Sequence, residues 1–218
     1  MKTVAFVPIK LNNRRLSGKN TKAFSGGPPL ITFFLEKLLK VTEIDEFYVF
    51  CSSPSIKEFL PKGVHYLERS PLLDTDETRM NAVVSAFIQK VHADIYMFTH
   101  VTSPFVAPET LSKAIQSVML GQHDSAVIVE KLQEFLWYNN KPLTYDLASI
   151  PRTQDLTPVF KETSGAYVFT REVALQHRRI GDTPFFVECG KIEAIDIDDA
   201  TDFLIADAIF SHIYGSHK

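Results

Sequence analysis

Hydrophobic residues along the chain alternate between two spacings, one typical of buried strands and one typical of helix faces. Continuous β-rich apolar runs, as in strands covered on both sides, occupy residues 3–8, 46–51, 94–99 and 125–129. Apolar residues spaced as on one helix face lie between these runs, over residues 30–41, 75–91 and 108–121. The alternation predicts a three-layer, Rossmann-like α/β fold with a mostly parallel sheet and ligand-binding loops at the carboxyl ends of the strands.

The alternation stops between residues 130 and 163. This stretch is polar, interrupted by prolines and too long for a simple connection. It also contains aromatic residues that have no predicted core to join, namely Phe135, Trp137, Tyr138 and Tyr145. We therefore predict that residues 130–163 form a small protruding arm, which packs on a partner subunit in a homodimer.

Beyond the arm, strands are expected over residues 166–170 and 191–197. A last helix follows, and its spacing predicts one apolar face made of Phe203, Ala206, Phe210 and Ile213. No repeat or low-complexity linker divides the chain, so residues 1–218 are expected to form a single domain.

The composition excludes several classes of protein. With 218 residues, 45% of them hydrophobic, and a net charge of −3, the chain is an ordinary globular protein that is not built for nonspecific binding of nucleic acid. Its two cysteines make no disulfide scaffold, which favours a cytoplasmic setting. The first apolar run, about six residues, is too short for a signal peptide or a membrane span. An acidic ligand therefore requires a local basic cluster.

Such a cluster follows the first strand. Four cations lie within ten residues, at Lys10, Arg14, Arg15 and Lys19. On charge alone, a solvated basic loop is the favoured interpretation. However, the loop follows a buried strand and contains Asn12, Asn13 and Gly18 for backbone turns, so it could surround a triphosphate. It matches neither a Walker loop nor a GxGxxG motif.

A pair of carboxylates near the end of the chain is a candidate metal site. In a strand over residues 191–197, Asp196 and Asp198 would project from the same face and repel each other unless a cation lies between them. Mg²⁺ held by carboxylate and phosphate oxygens is the expected occupant. The alternative is that Asp198 or Asp199 caps the last helix.

The basic loop resembles the N-terminal signature of the CMP-sialic acid synthetases and the related CMP-3-deoxy-manno-octulosonate synthetases. Lys10 stands for an Arg of that signature, Asn13 for a Ser and Arg14 for a Lys, whereas Lys19 and Asn20 match outright. The resemblance implies a nucleotide-binding set of Pro8, Ile9, Lys10, Asn13, Arg14, Lys19 and Asn20.

Further segments resemble the same family in the same order. Residues 69–71 and the acidic segment 74–78 resemble the region that borders cytosine, so Arg69 is a candidate nucleotide contact, with a surface arginine as the alternative. Residues 100–105, 152–156 and 163–167 resemble segments near the acceptor sugar. They imply sugar contacts by His100, Thr102, Ser103, Arg152, Gln154, Ser164 and Gly165. Arg152 would pair with the sugar carboxylate, and His100 replaces the usual Gln.

The resemblance implies that the chain transfers CMP from CTP to a sialic-acid-like nonulosonic acid and releases pyrophosphate, for surface glycans such as capsule or lipopolysaccharide. Arg14, Lys19 and Asp198 would be catalytic, with Mg²⁺ on Asp196 and Asp198. The octulosonate enzymes carry an Asp near the position of Thr102, and its absence favours the sialic-acid branch. The alternatives are transfer to another sugar, such as 3-deoxy-manno-octulosonate, and a non-catalytic sugar-nucleotide-binding protein.

Overall fold

The computed structural model describes residues 1–215 of the chain. In chain order, the strands and helices are β1 (Thr3–Ile9), α1 (Leu30–Leu38), β2 (Glu46–Cys51), β3 (Val64–Glu68), α2 (Met80–Ile88), β4 (Ile95–Thr99), α3 (Pro108–Met119), β5 (Ser125–Leu132), β6 (Trp137–Tyr138), β7 (Lys141–Pro142), β8 (Val159–Thr170), α4 (Arg171–Leu175), β9 (Pro184–Cys189) and α5 (Ala200–Ile213). Short 3-10 helices occur at Lys19–Thr21, Pro54–Phe59, Pro71–Asp74 and Thr153–Asp155. None of these helices has both the length and the apolar character of a membrane-spanning segment.

Seven strands form one sheet in the order β3-β2-β1-β4-β8-β5-β9. Only β8 runs against its neighbours, since it pairs antiparallel with both β4 and β5, whereas the other strand pairs are parallel. The mostly parallel sheet confirms the predicted fold class. Because six strands point the same way, the loops that follow them gather at one edge of the sheet, which is where ligands bind in such folds.

Helices cover both faces of the sheet and give three layers. The core on one face joins the sheet to α1, α3 and α5, and the core on the other face joins it to α2 and α4. Phe87 of α2 stacks on Phe6 of β1 with ring centres 4.0 Å apart. On the opposite side, Phe210 of α5 stacks on Phe24 at 4.4 Å, which fixes the last helix against the segment that precedes α1.

The predicted strand over residues 191–197 is wrong. The chain there makes turns, with the Ala194 amide bonded to the Gly190 carbonyl at 3.0 Å, and then an extended segment held by a 2.8 Å bond from the Ile197 amide to the Thr102 carbonyl. The edge strand is instead β9, which the sequence did not predict. The apolar residues of 191–197 resemble a strand in sequence because two of them, Ala194 and Ile197, are buried although they lie in a loop.

Other boundaries also differ from prediction. The helix expected over 75–91 begins only at Met80, because the preceding acidic residues form a 3-10 helix and turns beside the ligand edge. Ile213 of α5 is 47% exposed and does not share the buried face of that helix. Strand β3 and the five-residue helix α4 had no predicted counterpart. Strand β3 lies at an edge and is only half-buried, so it lacks the continuous apolar run of the inner strands.

The arm, residues 130–163, begins and ends within the sheet. Strands β5 and β8 remain paired to Leu132 and Val159, and the residues between them project as irregular chain with the small β6–β7 hairpin. Large apolar side chains of this projection are exposed, namely Phe135, Trp137, Tyr138, Leu143, Leu147 and Ile150. The homodimer stays a prediction.

Candidate active site

A cavity of about 410 Å³ lies at the carboxyl edge of β1, β3 and β4. The structure brings most of the predicted site residues together around it: Pro8, Ile9, Lys10, Asn13, Lys19, Asn20, Arg69, His100, Thr102, Ser164, Asp196 and Asp198. These residues come from five separated segments of the chain, so the sheet topology, and not nearness in sequence, assembles the site.

The cations of the basic loop face carboxylates. Asp76 accepts a 3.0 Å hydrogen bond from Lys10 Nζ and lies 2.6 Å from an Arg14 nitrogen, and Arg15 lies 2.7 Å from Asp198 Oδ1. The contacts with Lys10 and Arg14 lower the pKa of Asp76, and the hydrogen bond from Lys10 contributes most. Two anions thus gather cations that would otherwise repel one another, as a bound triphosphate would. Arg14 lines a neighbouring cavity of about 270 Å³ and not the central one.

Lys19 is buried, with 7% of its surface exposed. Its Nζ donates a 2.5 Å hydrogen bond to the Ile197 carbonyl and lies 3.9 Å from Asp198 Oδ1. Burial lowers the pKa of Lys19, and Asp198 and Asp196 oppose this shift. Gly18 precedes it with a φ of 64°, a left-handed conformation that glycine adopts without strain. Lys19 therefore does not belong to the solvated basic loop that charge alone favoured.

The two predicted metal ligands have different surroundings. Asp196 Oδ2 accepts a 2.7 Å hydrogen bond from Ser164, whereas Asp196 Oδ1 is buried and has no hydrogen-bond partner among residues 1–215. Asp198 instead faces Arg15 and Lys19. The helix-capping alternative holds for Asp199, whose carboxylate caps α5 reciprocally with Asp202.

These surroundings fit Mg²⁺. A buried carboxylate oxygen without a partner costs free energy unless a proton or cation meets it. Within residues 1–215 no cluster of three or more His, Cys, Asp or Glu could hold a metal alone. Mg²⁺ commonly uses one or two carboxylates and completes its shell with substrate phosphates and water, so Asp196 and Asp198 suffice as protein ligands.

Arg69 lines the cavity and is only 3% exposed. It forms an ion pair with Asp74, which also accepts a hydrogen bond from Ser52, and its guanidinium carbon lies 5.9 Å from the centre of the Phe50 ring. Its Nε is buried without a hydrogen-bond partner among the described residues. The surface-arginine alternative is therefore wrong.

His100 and Ser164 form the opposite wall, where the acceptor was predicted. The His100 ring packs on Phe98 with centres 4.5 Å apart. Burial lowers the pKa of His100 to about 4, with Asp196 opposing the shift and Arg179 adding to it. His100 is thus neutral at pH 7 and can donate or accept a hydrogen bond. A second cavity of about 330 Å³ shares Ser164 and Asp196 with the first and reaches the base of the arm.

Four predicted sugar contacts do not line the central cavity. Ser103 is buried behind the loop, and Gly165 lies inside the sheet, where a Cβ atom would come within 2.9 Å of the Val106 side chain. Close packing therefore explains Gly165. Arg152 and Gln154 lie on the arm, and the Arg152 side chain is 74% exposed and paired with Asp155. Their proposed contacts with the sugar stay predictions.

Comparison with known proteins identifies the family. A sequence model described as Cytidylyltransferase matches residues 4–185, which include β1 to β9 up to Phe185. The chain belongs to the cytidylyltransferase family. It is accordingly a nucleotidyltransferase, and the basic loop and the carboxylates share a cavity within one such enzyme.

Relatives of this cytidylyltransferase include two named enzymes. The CMP-N,N'-diacetyllegionaminic acid synthase of Legionella pneumophila is 22% identical over 225 residues, covering 96% of each chain. The N-acylneuraminate cytidylyltransferase A of Danio rerio is 24% identical over 199 residues, which cover 87% of this chain and 46% of that protein. The present chain therefore spans about half of the Danio rerio protein.

Solved structures share the fold of the cytidylyltransferase. A CMP:2-keto-3-deoxy-manno-octonic acid synthetase complexed with CTP matches with a TM-score of 0.73 at 16% identity, covering 97% of this chain and 99% of that one. The 4-diphosphocytidyl-2C-methyl-D-erythritol synthase of Anaerococcus prevotii matches with a TM-score of 0.64 at 14% identity, covering 96% of each. At these identities, the likeness concerns the fold alone.

Sequence reasoning missed several residues at the site of the cytidylyltransferase. Arg15 was noted as a loop cation but not as a site residue, although it lines the cavity and binds Asp198. Asp76 was noted only as part of an acidic segment. The cavity wall also includes Thr75, Thr78, Met80 and Val83. The acidic segment over residues 74–78 was the available signal for Asp76 and Thr78, whereas Met80 and Val83 carried no signal of a site.

Proposed function

We propose that this cytidylyltransferase transfers CMP from CTP to a sialic-acid-like nonulosonic acid and releases pyrophosphate. The observation that carries this proposal is the meeting of the basic loop and the carboxylate pair Asp196 and Asp198 at one cavity, with Arg15 2.7 Å and Lys19 3.9 Å from Asp198. Phosphoryl transfer requires little covalent chemistry from the protein but needs positioning and charge neutralisation on both sides of the phosphorus. The names of the two sequence relatives support the class of acceptor.

In the proposed reaction, the anomeric hydroxyl of the sugar acid attacks the α-phosphorus of CTP. A bond forms between that oxygen and phosphorus, the bond from phosphorus to the bridging oxygen of the β-phosphate breaks, and the hydroxyl proton is released. Lys10, Arg14 and Lys19 neutralise charge that builds on the leaving pyrophosphate. On nucleotide binding, Lys10 and Arg14 exchange the carboxylate of Asp76 for phosphate oxygens. The buried Arg69, which lines the cavity, contacts the base or ribose.

Asp196 and Asp198 would hold Mg²⁺. Such an ion supplies charge neutralisation at the α-phosphoryl oxygens and lowers the pKa of a nearby hydroxyl. Ser164 fixes one oxygen of Asp196, and the other oxygen has no hydrogen-bond partner among residues 1–215. The neutral His100 and Thr102 contact the sugar. In this proposal the protein is a cytoplasmic homodimer, and its product enters surface glycan synthesis. Arg152 and Gln154 lie on the arm and reach a sugar only when the arms of two subunits associate.

A pyrophosphate-release screen tests the proposal. The enzyme is mixed with Mg²⁺, each of the four nucleoside triphosphates and a panel of nonulosonic acids, 3-deoxy-manno-octulosonate and neutral sugars. We expect release with CTP and a nonulosonic acid. Preference for 3-deoxy-manno-octulosonate would support that alternative acceptor, and no release with any combination would support a non-catalytic binding protein.

A further inference from the structure

Arg179 is a cation near the acceptor wall that the reaction described above does not use. It lies in the segment between α4 and β9, and its guanidinium carbon is 4.0 Å from the centre of the Tyr167 ring and 6.0 Å from that of Phe98. Phe98 in turn packs on His100, which lines the central cavity. Arg179 and His100 therefore flank the same aromatic ring.

The hydrogen-bonding groups of Arg179 are largely free. Its nearest carboxylate is Glu162, at 3.8 Å, which is too long for a hydrogen bond, and Glu162 is occupied by a 3.0 Å bond from the Tyr167 hydroxyl. Within residues 1–215, Arg179 makes no hydrogen bond. A guanidinium has five N–H donors in one plane, so a ring stacked on its face leaves the edge available to an anion.

Two other cations near the acceptor side are already occupied, and Lys191, which lines the second cavity, is exposed to solvent. Arg152 makes two hydrogen bonds to Asp155, at 2.8 and 3.3 Å, and is 74% exposed. Lys161 is bonded to Glu130 at 3.2 Å. Arg179 has a side chain only 29% exposed and no hydrogen-bonded carboxylate. An incoming anion would have to displace a partner from the first two but not from Arg179.

We infer that Arg179 binds the carboxylate of the acceptor sugar from within the same subunit, an inference that rests on the proposed function. In a 2-keto sugar acid, the carboxylate is attached to the carbon that bears the attacking hydroxyl. Its binding group must therefore lie close to the reacting phosphate, beside His100 and the Ser164–Asp196 pair. Arg179 meets this requirement through its neighbours, since it shares the Phe98 ring with His100 and lies 3.8 Å from Glu162, which lines the second cavity together with Ser164 and Asp196.

The test compares R179Q with the matched control R178Q, since Arg178 is the adjacent arginine and pairs with the exposed Asp182. Pyrophosphate release is measured with the preferred sugar acid and with its methyl ester. In R179Q we expect the KM for the acid to rise about 10- to 100-fold, as for loss of a charged hydrogen bond, while the KM for CTP changes less than about twofold. The acid-to-ester preference of the wild-type enzyme should disappear in R179Q and persist in R178Q.

Contrary outcomes are separable. A folded R179Q that keeps the wild-type KM for the acid and the wild-type preference over the ester overturns the inference, as does loss of that preference in R152Q but not in R179Q. An equal rise in the KM for CTP also overturns it. If R179Q does not fold, the preference for the acid over its methyl ester is measured on R179M, which retains the apolar stem. No turnover by the wild-type enzyme with any sugar acid contradicts the proposed function itself.

Discussion

The ligand edge of the sheet and the arm differ in the kind of side chain that each buries and exposes. The edge buries charge, with Lys19 only 7% and Arg69 only 3% exposed, whereas the arm exposes apolar rings, with Trp137 57% and Tyr138 68% exposed. A buried charge is stable only when partners surround it. A cluster of large apolar side chains on the surface is typical of a site that another molecule covers. Under the proposed function, the nucleotide side is therefore complete within one chain, whereas the arm is suited to a surface outside it.

Strand β8 connects these two regions. It leaves the arm at Val159, passes Ser164, which binds Asp196, and enters the core beside β4. The wall formed by His100 and Ser164 thus lies between the ligand edge, whose charges are buried, and the arm, whose apolar rings are exposed. Changes at the edge should affect nucleotide use and turnover, whereas changes in the arm should affect assembly first.

The largest expected effect is that of Asp196→Asn. Loss of the charge that holds Mg²⁺ should lower turnover at saturating Mg²⁺ by at least about 10³-fold, since a metal contributes several kcal/mol to catalysis. Thermal stability in chelator should stay level or rise, because Asp196 Oδ1 is buried without a partner. Asp198→Asn should lose similar activity but also a little stability through its pairs with Arg15 and Lys19.

Asp182→Asn is the control for this experiment, since Asp182 is 81% exposed and remote from the cavity. Pyrophosphate release and thermal melts are measured on all three variants. Lower melting temperatures with turnover retained would show that Asp196 and Asp198 are structural.

Lys19→Ala should have the next largest effect, on both activity and stability. It leaves the Ile197 carbonyl without its 2.5 Å donor and removes a buried partner of Asp198. We expect a loss of about 1–3 kcal/mol in the free energy of unfolding and a lower kcat/KM for CTP. Lys22→Ala, in the exposed position that follows the same 3-10 helix, is the matched control. Denaturant unfolding that shows no difference between the two variants would contradict the buried role of Lys19.

Trp137→Lys tests the other side of the comparison. If the arm covers a partner subunit, a charge at this ring should weaken the dimer by more than about 2 kcal/mol, which is roughly 30-fold in Kd. The KM for CTP should change little because the nucleotide side is complete in one chain. The mass is measured by light scattering at micromolar concentration. Leu120→Lys is the control, since Leu120 is 72% exposed at the end of α3. A monomeric wild-type protein would rule out the homodimer.

The smallest expected effect concerns His100. Burial lowers its folded-state pKa to about 4, below its usual value near 6.5, so between these pH values the unfolded chain binds a proton that the folded chain does not. Stability from this group is therefore fully present above pH 6.5 and is lost as pH falls toward 4, by at most about 1.4 kcal/mol per pH unit. His100→Gln should show a shallower loss between pH 6.5 and 4.5 in denaturant unfolding. Parallel profiles would show that His100 titrates normally.

The sequence predicted the inner strands and the basic loop because both carry local signals. Continuous apolar runs mark strands that are covered on both faces, and clustered cations with turn residues mark a phosphate loop. The edge strand β3 and the turn over 191–194 lack such signals, since half-burial and loop burial both depend on distant partners. Local pattern therefore predicted the centre of the sheet better than its edges.

Side-chain environments were less predictable than positions. Lys19 and Arg14 are both loop cations in the sequence, yet one is buried and the other has an 85% exposed side chain. The difference arises from Ile197, whose carbonyl accepts a hydrogen bond from Lys19 across a separation of 178 residues. Arg179 could not be predicted at all, because its role depends on the ring of Tyr167 and not on a motif.

The bond from Lys19 to the Ile197 carbonyl joins residues 178 positions apart. At about 5–20 residues per second, a ribosome separates the emergence of these two residues by roughly 10 to 35 seconds. During this interval the nascent chain carries the lysine without its carbonyl partner, and the nucleotide site cannot close around it. Incomplete translation products that end before this carbonyl would lack the last anchor of the site. Biosynthesis therefore delays a competent nucleotide pocket until nearly all of the described chain has emerged.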